Sequence, residues 1–205
     1  YHYGKVKKKN LKFKDKHLFK IFNIIPNWLM NNYVIKFLNN FYYLISFPTK
    51  NLISINDYFY QLDKIKNWNY LYGNKGFISY QVVFPERSSF KGISKILDVL
   101  RENKNFSFVS VLKYMGRNDG YNSFGMKGYT LVLDFPINKK IYKTLNILDT
   151  IVIKNKGRIY LCKDSRITYK NFLKMKSGFL DRKFINIRKN NKYFFNSEQS
   201  TRLKI

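Results

Sequence analysis

The chain has 205 residues, 45% of them apolar, which is enough for one substantial core or two small ones and excludes a wholly disordered chain. Its formal net charge of +27 would favour a nucleic-acid partner, because lysine and arginine neutralise phosphates. However, the chain has no alanine and is rich in the residues that an A/T-rich coding sequence favours, so compositional bias explains much of the charge and nucleic acid is not the expected partner.

The first 57 residues hold a basic run at 5–16 and an aromatic stretch at 21–47. The basic run suits RNA or an acidic membrane surface. Pro26 and Lys36 help to make the aromatic stretch too polar to span a membrane, which takes about 20 mainly apolar residues, although it suits the surface of a bilayer. We expect one or two helices between 27 and 40. No signal peptide is visible, and a first residue that is tyrosine leads us to expect a fragment or a processed product.

Regular elements are expected from Gly76 onward, where apolar strands and amphipathic helices follow one another. In chain order they are strand 76–85, helix 88–103, strand 106–116, strand 129–136, helix 139–157 and strand 158–162. Ser88 and Ser89 are expected to cap the first of these helices. The β-α-β-β-α-β order predicts an α+β fold of the ferredoxin-like kind, an antiparallel sheet with helices on one face. The other face is then left for a ligand or another domain.

Alternation along the strands indicates which side chains share that second face. In 129–136, Thr130, Val132 and Asp134 point to one side of the sheet. Lys113 shares its side of the strand 106–116 with apolar residues, and a charge in such a row costs free energy unless it is satisfied. Lys113 is therefore a candidate binding residue.

The segment GRIYLCKDSR at 157–166 places Lys163 directly after the last expected strand. A strand end can hold a side chain rigidly over a site, yet the lysine-rich composition by itself favours a solvated lysine. Cys162, the only cysteine, alternates with Tyr160 along the expected strand, so we expect a small core residue rather than a reactive thiol. A lone cysteine also indicates a reducing compartment. Thr168 is expected to cap a short helix.

Common signatures of metal and nucleotide sites are absent from the sequence. There is no CxxC, no HExxH and no cluster of carboxylates with histidine, since the two histidines, His2 and His17, lie in the basic start. Neither GxxxxGK[ST] nor GxGxxG occurs. We therefore expect no metal site and no phosphate-binding loop.

Four stretches of the chain, taken together, carry a resemblance to a known protein family. They are YFYQLDKIKNWNYLYGNKGFISYQVVFPE at 58–86, FSFVSVLKYMG at 106–116, YTLVLDFPI at 129–137 and GRIYLCKDSR at 157–166. In this order and spacing they resemble the C-terminal half of the flavin oxidases of the vanillyl-alcohol oxidase superfamily. The likeness is greater to the decaprenylphosphoryl-β-D-ribose oxidases than to the D-arabinono-1,4-lactone oxidases. It covers 58–205 well and 10–57 loosely.

The resemblance implies a division of the chain and a cofactor. Residues 1–157 would be the substrate domain, with 1–57 assigned loosely, and 158–205 the C-terminal part of the FAD-binding domain. The N-terminal FAD-binding domain of the family has no counterpart here, so the resemblance implies that this chain alone binds FAD poorly. The expected partners are that missing domain, a sugar substrate, a short-chain reductase and a membrane surface. We expect the protein in the cytoplasm, at the inner face of the plasma membrane.

The resemblance also assigns site residues. Lys163 falls on the family lysine that touches both flavin and substrate, and Tyr160 on an aromatic residue of the cofactor site. An ammonium beside the flavin stabilises the negative charge that hydride transfer creates. Substrate-binding roles fall on Gln81, Lys113, Thr130 and Val132. Val132 stands where the closer relatives have a cysteine, so a pocket thiol is missing.

The function implied is that of an FAD-dependent oxidoreductase acting on the 2-hydroxyl of polyprenyl-phosphate ribose, to give a 2-keto intermediate in epimerisation to arabinose. Oxidation of a sugar 1,4-lactone or an alditol is an alternative within the same superfamily. A basic RNA-binding or ribosomal protein is the alternative from another class, since a ferredoxin-like sheet can present aromatic side chains to bases. The strands lack the RG-F/Y-G-F signature of that class.

Overall fold

A computed structural model describes most of the chain in several segments. The described residues are 19–20, 32–45, 60, 64–73, 75–116, 123–175, 182–191 and 194–205. They belong to two compact units, Tyr1–Gly76 and Phe77–Ile205.

The first unit holds short elements. Strand β1 (Phe19–Lys20) pairs in parallel with β2 (Ile65–Lys66), helix α1 covers Asn32–Ile45, and a 3-10 helix covers Trp68–Tyr72. Helix α1 agrees with the expected helix between 27 and 40 but extends further, while the basic run at the start lies outside the described residues. Of the helices described, none is both long and apolar enough to cross a membrane.

The second unit is built on a four-stranded sheet. Its strands are β3 (Phe77–Pro85), β4 (Val109–Met115), β5 (Gly128–Pro136) and β6 (Arg158–Ile159). Its helices are α2 (Glu86–Glu102), α3 (Lys139–Lys154), α4 (Tyr169–Met175), α5 (Arg182–Asn190) and α6 (Glu198–Leu203). The sequence-based prediction of an α+β fold with an antiparallel sheet is confirmed.

The strands lie in the order β4-β5-β3-β6, and every neighbouring pair is antiparallel. The pairing of β3 with β5 runs without a break from Phe77 opposite Pro136 to Pro85 opposite Gly128. Gly128 has a φ of 153°, and a Cβ built there would lie 2.0 Å from the backbone oxygen of Phe84. Only glycine therefore allows β5 to begin so close to the end of β3.

The core lies between one face of the sheet and helices α2 and α3. Alternate strand residues supply one side of it, because successive side chains of a strand point to opposite faces. The largest fully buried side chains include Phe84, Phe135, Ile96, Leu145 and Leu148. This packing leaves the second sheet face for the residues that alternate with them.

Two helix starts differ in how well the sequence predicted them. Helix α2 begins at Glu86 rather than after serine caps, so the prediction that Ser88 and Ser89 cap it was wrong. Ser88 Oγ instead makes a tertiary contact, donating to the Asn155 carbonyl at 2.7 Å, and Ser89 Oγ donates locally to the carbonyl of Pro85, four residues earlier, at 2.9 Å. The prediction for Thr168 is confirmed, since its Oγ1 accepts from the Asn171 amide at the start of α4.

Candidate functional site

The segment that carries Lys163 leaves the sheet earlier than expected. The amide of Tyr160 donates to the Gln81 carbonyl at 2.9 Å, and the amide of Lys163 then closes a turn on the Tyr160 carbonyl at 3.1 Å. Residues Leu161–Lys163 form one 3-10 turn. The predicted strand 158–162 therefore ends at Ile159, and Lys163 lies on a turn beside the sheet rather than at a strand end.

Cys162 shows the effect of this turn. The thiol is exposed, so the prediction of a core residue was wrong. The alternation expected for a strand does not apply, because the backbone has already turned away from β3. Cys162 raises the pKa of the Tyr160 phenol, chiefly through a hydrogen bond between the two side chains. The ring of Tyr160 packs against Phe124 with centroids 4.7 Å apart.

One anchor holds the turn from the side of helix α6. The Asp164 carboxylate, 2% exposed, forms an ion pair with Arg202 at 2.9 Å and accepts the Ile167 amide at 2.9 Å. Gln199 donates to the carbonyls of Leu161 at 2.6 Å and Asp164 at 3.0 Å. The backbone on either side of Lys163 is thereby fixed to the end of the chain.

A second anchor holds the turn from the side of helix α3. Arg166 binds both carboxylate oxygens of Asp149, at 2.6 and 2.9 Å, and its side chain is only 11% exposed. The Tyr80 hydroxyl donates to the same carboxylate at 3.0 Å, and the guanidinium lies 5.6 Å from the centre of the Tyr80 ring. Burial and the Asp149 charge raise the pKa of Tyr80 well above its usual value, so Tyr80 remains a neutral donor.

The strand register defines the second face of the sheet. Ser79 lies opposite Asp134 and Gln81 opposite Val132 on β3 and β5, while Lys113 on β4 lies opposite Thr130. Because partners directly across an antiparallel pair share a face, these side chains and Tyr160 all belong to the face away from α2 and α3. The predicted site residues other than Lys163 are thus on one surface.

Only part of the predicted set meets in one cleft. The cleft lies where the Lys163 turn approaches β3, and its lining includes Gln81, Tyr160 and Lys163 of the predicted residues, together with Ser79. Its enclosed volume is about 10 Å³, which is room for one water molecule. Lys163 is exposed at its rim and, within the described segments, has no carboxylate within ion-pair distance.

The other three predicted residues do not line this cleft, and Val132 lies opposite Gln81 in the strand register. Lys113 is exposed, and its partner Thr130 is four residues from Asp134 along β5, about 13 Å in a strand. Thr130 is 2% exposed, and its hydroxyl already accepts from Gln81 at 3.2 Å and donates to the Val82 carbonyl at 2.8 Å. Val132 is 9% exposed. Their substrate-binding roles stay predictions.

Asp134 is a residue of this face that the resemblance did not assign. The residue is 6% exposed, and its carboxylate accepts a hydrogen bond of 2.6 Å from Ser79 Oγ. Burial raises the pKa of Asp134, against the opposing effects of the Ser79 hydrogen bond and the Lys163 charge. The alternation within 129–136 was the signal that placed Asp134 on this face.

Comparison with known proteins identifies a relative. No protein-family model matches the chain. A curated protein, the decaprenylphosphoryl-β-D-ribose oxidase of Mycolicibacterium smegmatis, is 32% identical over 171 residues, which are 82% of this chain. The predicted resemblance is confirmed. The chain spans 37% of the length of this oxidase.

This chain corresponds to only part of the oxidase. The oxidase is more than twice as long as the segment that this chain matches. Among the residues that the structure describes, no group of three or more His, Cys, Asp or Glu side chains could hold a metal ion. The side chains that this chain contributes to the site are a cation (Lys163), a phenol (Tyr160), an amide (Gln81) and a hydrogen-bonded carboxylate (Asp134), on or beside the sheet face away from α2 and α3.

Proposed function

We propose that this chain is the substrate-domain portion of an FAD-dependent oxidoreductase that oxidises the 2-hydroxyl of polyprenyl-phosphate ribose to a ketone. The similarity to a decaprenylphosphoryl-β-D-ribose oxidase supports the substrate class. The observation that carries the proposal is the doubly anchored turn, which brings Lys163 and Tyr160 beside Gln81 in one cleft.

The chemistry of the side chains around the cleft, and not its volume, suits the edge of a flavin. When bound, a flavin supplies the acceptor for a hydride from the carbinol carbon. The exposed ammonium of Lys163 suits an electron-rich ring edge, and its negative charge after hydride transfer would be stabilised there. Rigid attachment matters because such stabilisation depends on donors that are already in place. The two anchors on either side of Lys163 provide that attachment.

The proposed division of labour follows the sequence resemblance. Residues 1–157 would contact the sugar, and 158–205 would complete the flavin domain. In the structure, β6 pairs with β3 within the unit Phe77–Ile205, so the two parts would share one sheet. Gln81 and Lys113 are the donors that we propose for sugar hydroxyl and phosphate oxygens.

The proposal extends to a membrane that holds the lipid substrate. Helix α1 exposes a set of large apolar side chains, namely Tyr33, Phe37, Phe41, Tyr42, Tyr43 and Leu44. Aromatic side chains are favoured at the boundary between lipid headgroups and acyl chains. We propose a location in the cytoplasm at the inner face of the plasma membrane, with a short-chain reductase as the partner that consumes the ketone.

The test uses the longest protein that the gene encodes around this chain, purified and examined for a flavin absorbance spectrum. We expect a bound flavin that polyprenyl-phosphoribose reduces, and we expect Lys163→Ala to slow that reduction by about 100-fold or more, as for loss of one preorganised donor. Lys170→Ala, an exposed lysine on α4, is the matched control and should leave the rate unchanged.

Three other results would contradict the proposal. Reduction by a sugar lactone or an alditol, and not by the lipid-linked pentose, would assign the chain to the other oxidases of the superfamily. Equal rates for Lys163→Ala and the control would remove Lys163 from the flavin site. A colourless protein that carries RNA, with binding that falls steeply as salt rises, would make it a nucleic-acid-binding protein.

A further inference from the structure

Ser79 and Asp134 form a polar pair at one end of the cleft. They lie directly opposite each other on β3 and β5, on the face that carries Gln81 and Tyr160. Ser79 is half-buried and lines the cleft together with Lys163, whereas Asp134 is buried and does not line it. A ligand in the cleft would therefore reach the hydroxyl before the carboxylate.

The geometry of the pair is that of a hydroxyl bonded to an anion. A distance of 2.6 Å between Ser79 Oγ and Asp134 Oδ1 is typical of an O–H···O⁻ bond. The main chain of Asp134 is also fixed, because its amide donates to Ser107 Oγ at 2.9 Å and its carbonyl accepts from the same hydroxyl at 3.1 Å. The carboxylate is held in position to receive a proton from Ser79.

We propose that Ser79 and Asp134 relay the proton of the hydroxyl that is oxidised, an inference that rests on the proposed function. Oxidation of a carbinol breaks its C–H and O–H bonds and forms a C=O bond. A flavin bound as in the proposed function would supply the acceptor for the hydride. The O–H proton goes to Ser79 Oγ while the Ser79 proton goes to Asp134, which becomes a neutral carboxylic acid. Ser79 is the residue placed to touch substrate, and Asp134 acts through it.

The charges around Asp134 suit this role. Burial makes the carboxylate a stronger base by raising its pKa, and Lys163 opposes this as a cation at the cleft rim. On the segment that carries Lys163, Asp164 forms an ion pair with Arg202, and Arg166 forms one with Asp149. Lys113 on β4 shares the face, about 13 Å along the strands. From β3, Ser79 is the polar side chain that faces Asp134.

A plain structural role is the competing explanation, since a Ser–Asp hydrogen bond also joins β3 to β5. Asp134→Asn distinguishes a proton relay from a structural role. The asparagine amide keeps the size of the side chain and accepts the Ser79 hydrogen bond, but it is not basic. Ser79→Ala removes the relay and leaves the carboxylate. Asp98→Asn, an exposed carboxylate on α2, is the charge-matched control.

The first measurement needs no flavin. Carboxyl-¹³C NMR of the chain, labelled at aspartate, should show Asp134 titrating above the usual value of about 3.9. The titration should move further up in Lys163→Ala, which removes the opposing charge, and in Ser79→Ala, which removes the hydrogen bond. An Asp134 that titrates at or below its usual value, or ignores both variants, would overturn the inference.

The second measurement uses the flavin-containing protein and follows flavin reduction by polyprenyl-phosphoribose against pH. We expect Asp134→Asn to slow reduction by about 100-fold or more and to abolish the fall in rate at acid pH, with flavin content and affinity for the sugar unchanged. Asp98→Asn should match the wild type. A normal rate in Asp134→Asn beside a slow Lys163→Ala would refute the relay alone. A wild-type flavin that no sugar reduces would refute the proposed function, and the relay with it.

Discussion

Replacing Arg166 with glutamine removes a guanidinium that holds the Lys163 turn to helix α3. Arg166 makes two hydrogen bonds to Asp149, one to Asn146 and one to the Leu145 carbonyl. Glutamine is too short to replace them, so a carboxylate that is 1% exposed would keep only the Tyr80 hydroxyl as a partner. Breaking a buried pair in this way costs about 3–5 kcal/mol, because one charge remains buried and uncompensated.

Thermal and urea unfolding of the full chain measure this cost. For a unit of this size, a loss of about 3–5 kcal/mol lowers Tm by roughly 10–20 °C. Arg101→Gln is the control, since its pair with Asp98 is exposed and its loss should change stability by less than about 0.5 kcal/mol. The double variant Arg166→Leu with Asp149→Leu should recover part of the loss, because no charge is then left unpaired. A cost below about 1 kcal/mol for Arg166→Gln would refute this account of the anchor.

Three further predictions follow from individual contacts. Gly128→Ala places a Cβ 2.0 Å from the Phe84 carbonyl oxygen and should destabilise the chain by more than about 3 kcal/mol in urea unfolding, whereas Gly116→Ala, with nothing within 4 Å, should be close to neutral. A thiol reagent should modify Cys162 in the native chain as completely as in denaturant, and protection in the native state would contradict its exposure. Because burial raises the pKa of Asp134 in the folded chain, the contribution of Asp134 to stability falls as pH rises from its unfolded pKa toward its folded pKa. Asp134→Asn should therefore raise Tm more at neutral pH than at acid pH. An equal rise in Tm at both pH values would contradict the raised pKa.

Strand alternation predicted the central sheet closely. Strands β3 and β5 lie within one residue of the ranges expected from their apolar, β-branched patterns, because those side chains alternate between the core and the second face. The end of β6 could not be predicted in this way. It depends on Arg202, Gln199 and Asp149, which come from α6 and α3 and capture the turn through contacts distant in sequence.

The site was predicted in part for the same reason. Gln81, Tyr160 and Lys163 meet in one cleft, and the binding roles that the resemblance assigns to them stay predictions. Lys113 was singled out because it interrupts an apolar row, but β4 is an edge strand and its side chain is exposed, so the expected cost of burial does not arise. The pairing of Asp134 with Ser79 needs the register of β3 against β5, which no local pattern contains.

The order in which the cleft residues occur along the chain has a consequence for synthesis on the ribosome. Ser79 and Gln81 emerge first, Asp134 follows within β5, and Tyr160 and Lys163 come last, beyond α3. The pairing of Val82 with Ile159 closes a loop that spans most of the second unit. Non-local pairing of this kind is slow and leaves apolar strands exposed until the partner arrives. A nascent chain stopped before Arg158 would therefore hold β3 with one unpaired edge, and a chaperone that binds extended apolar segments should retain it until the last strand is released.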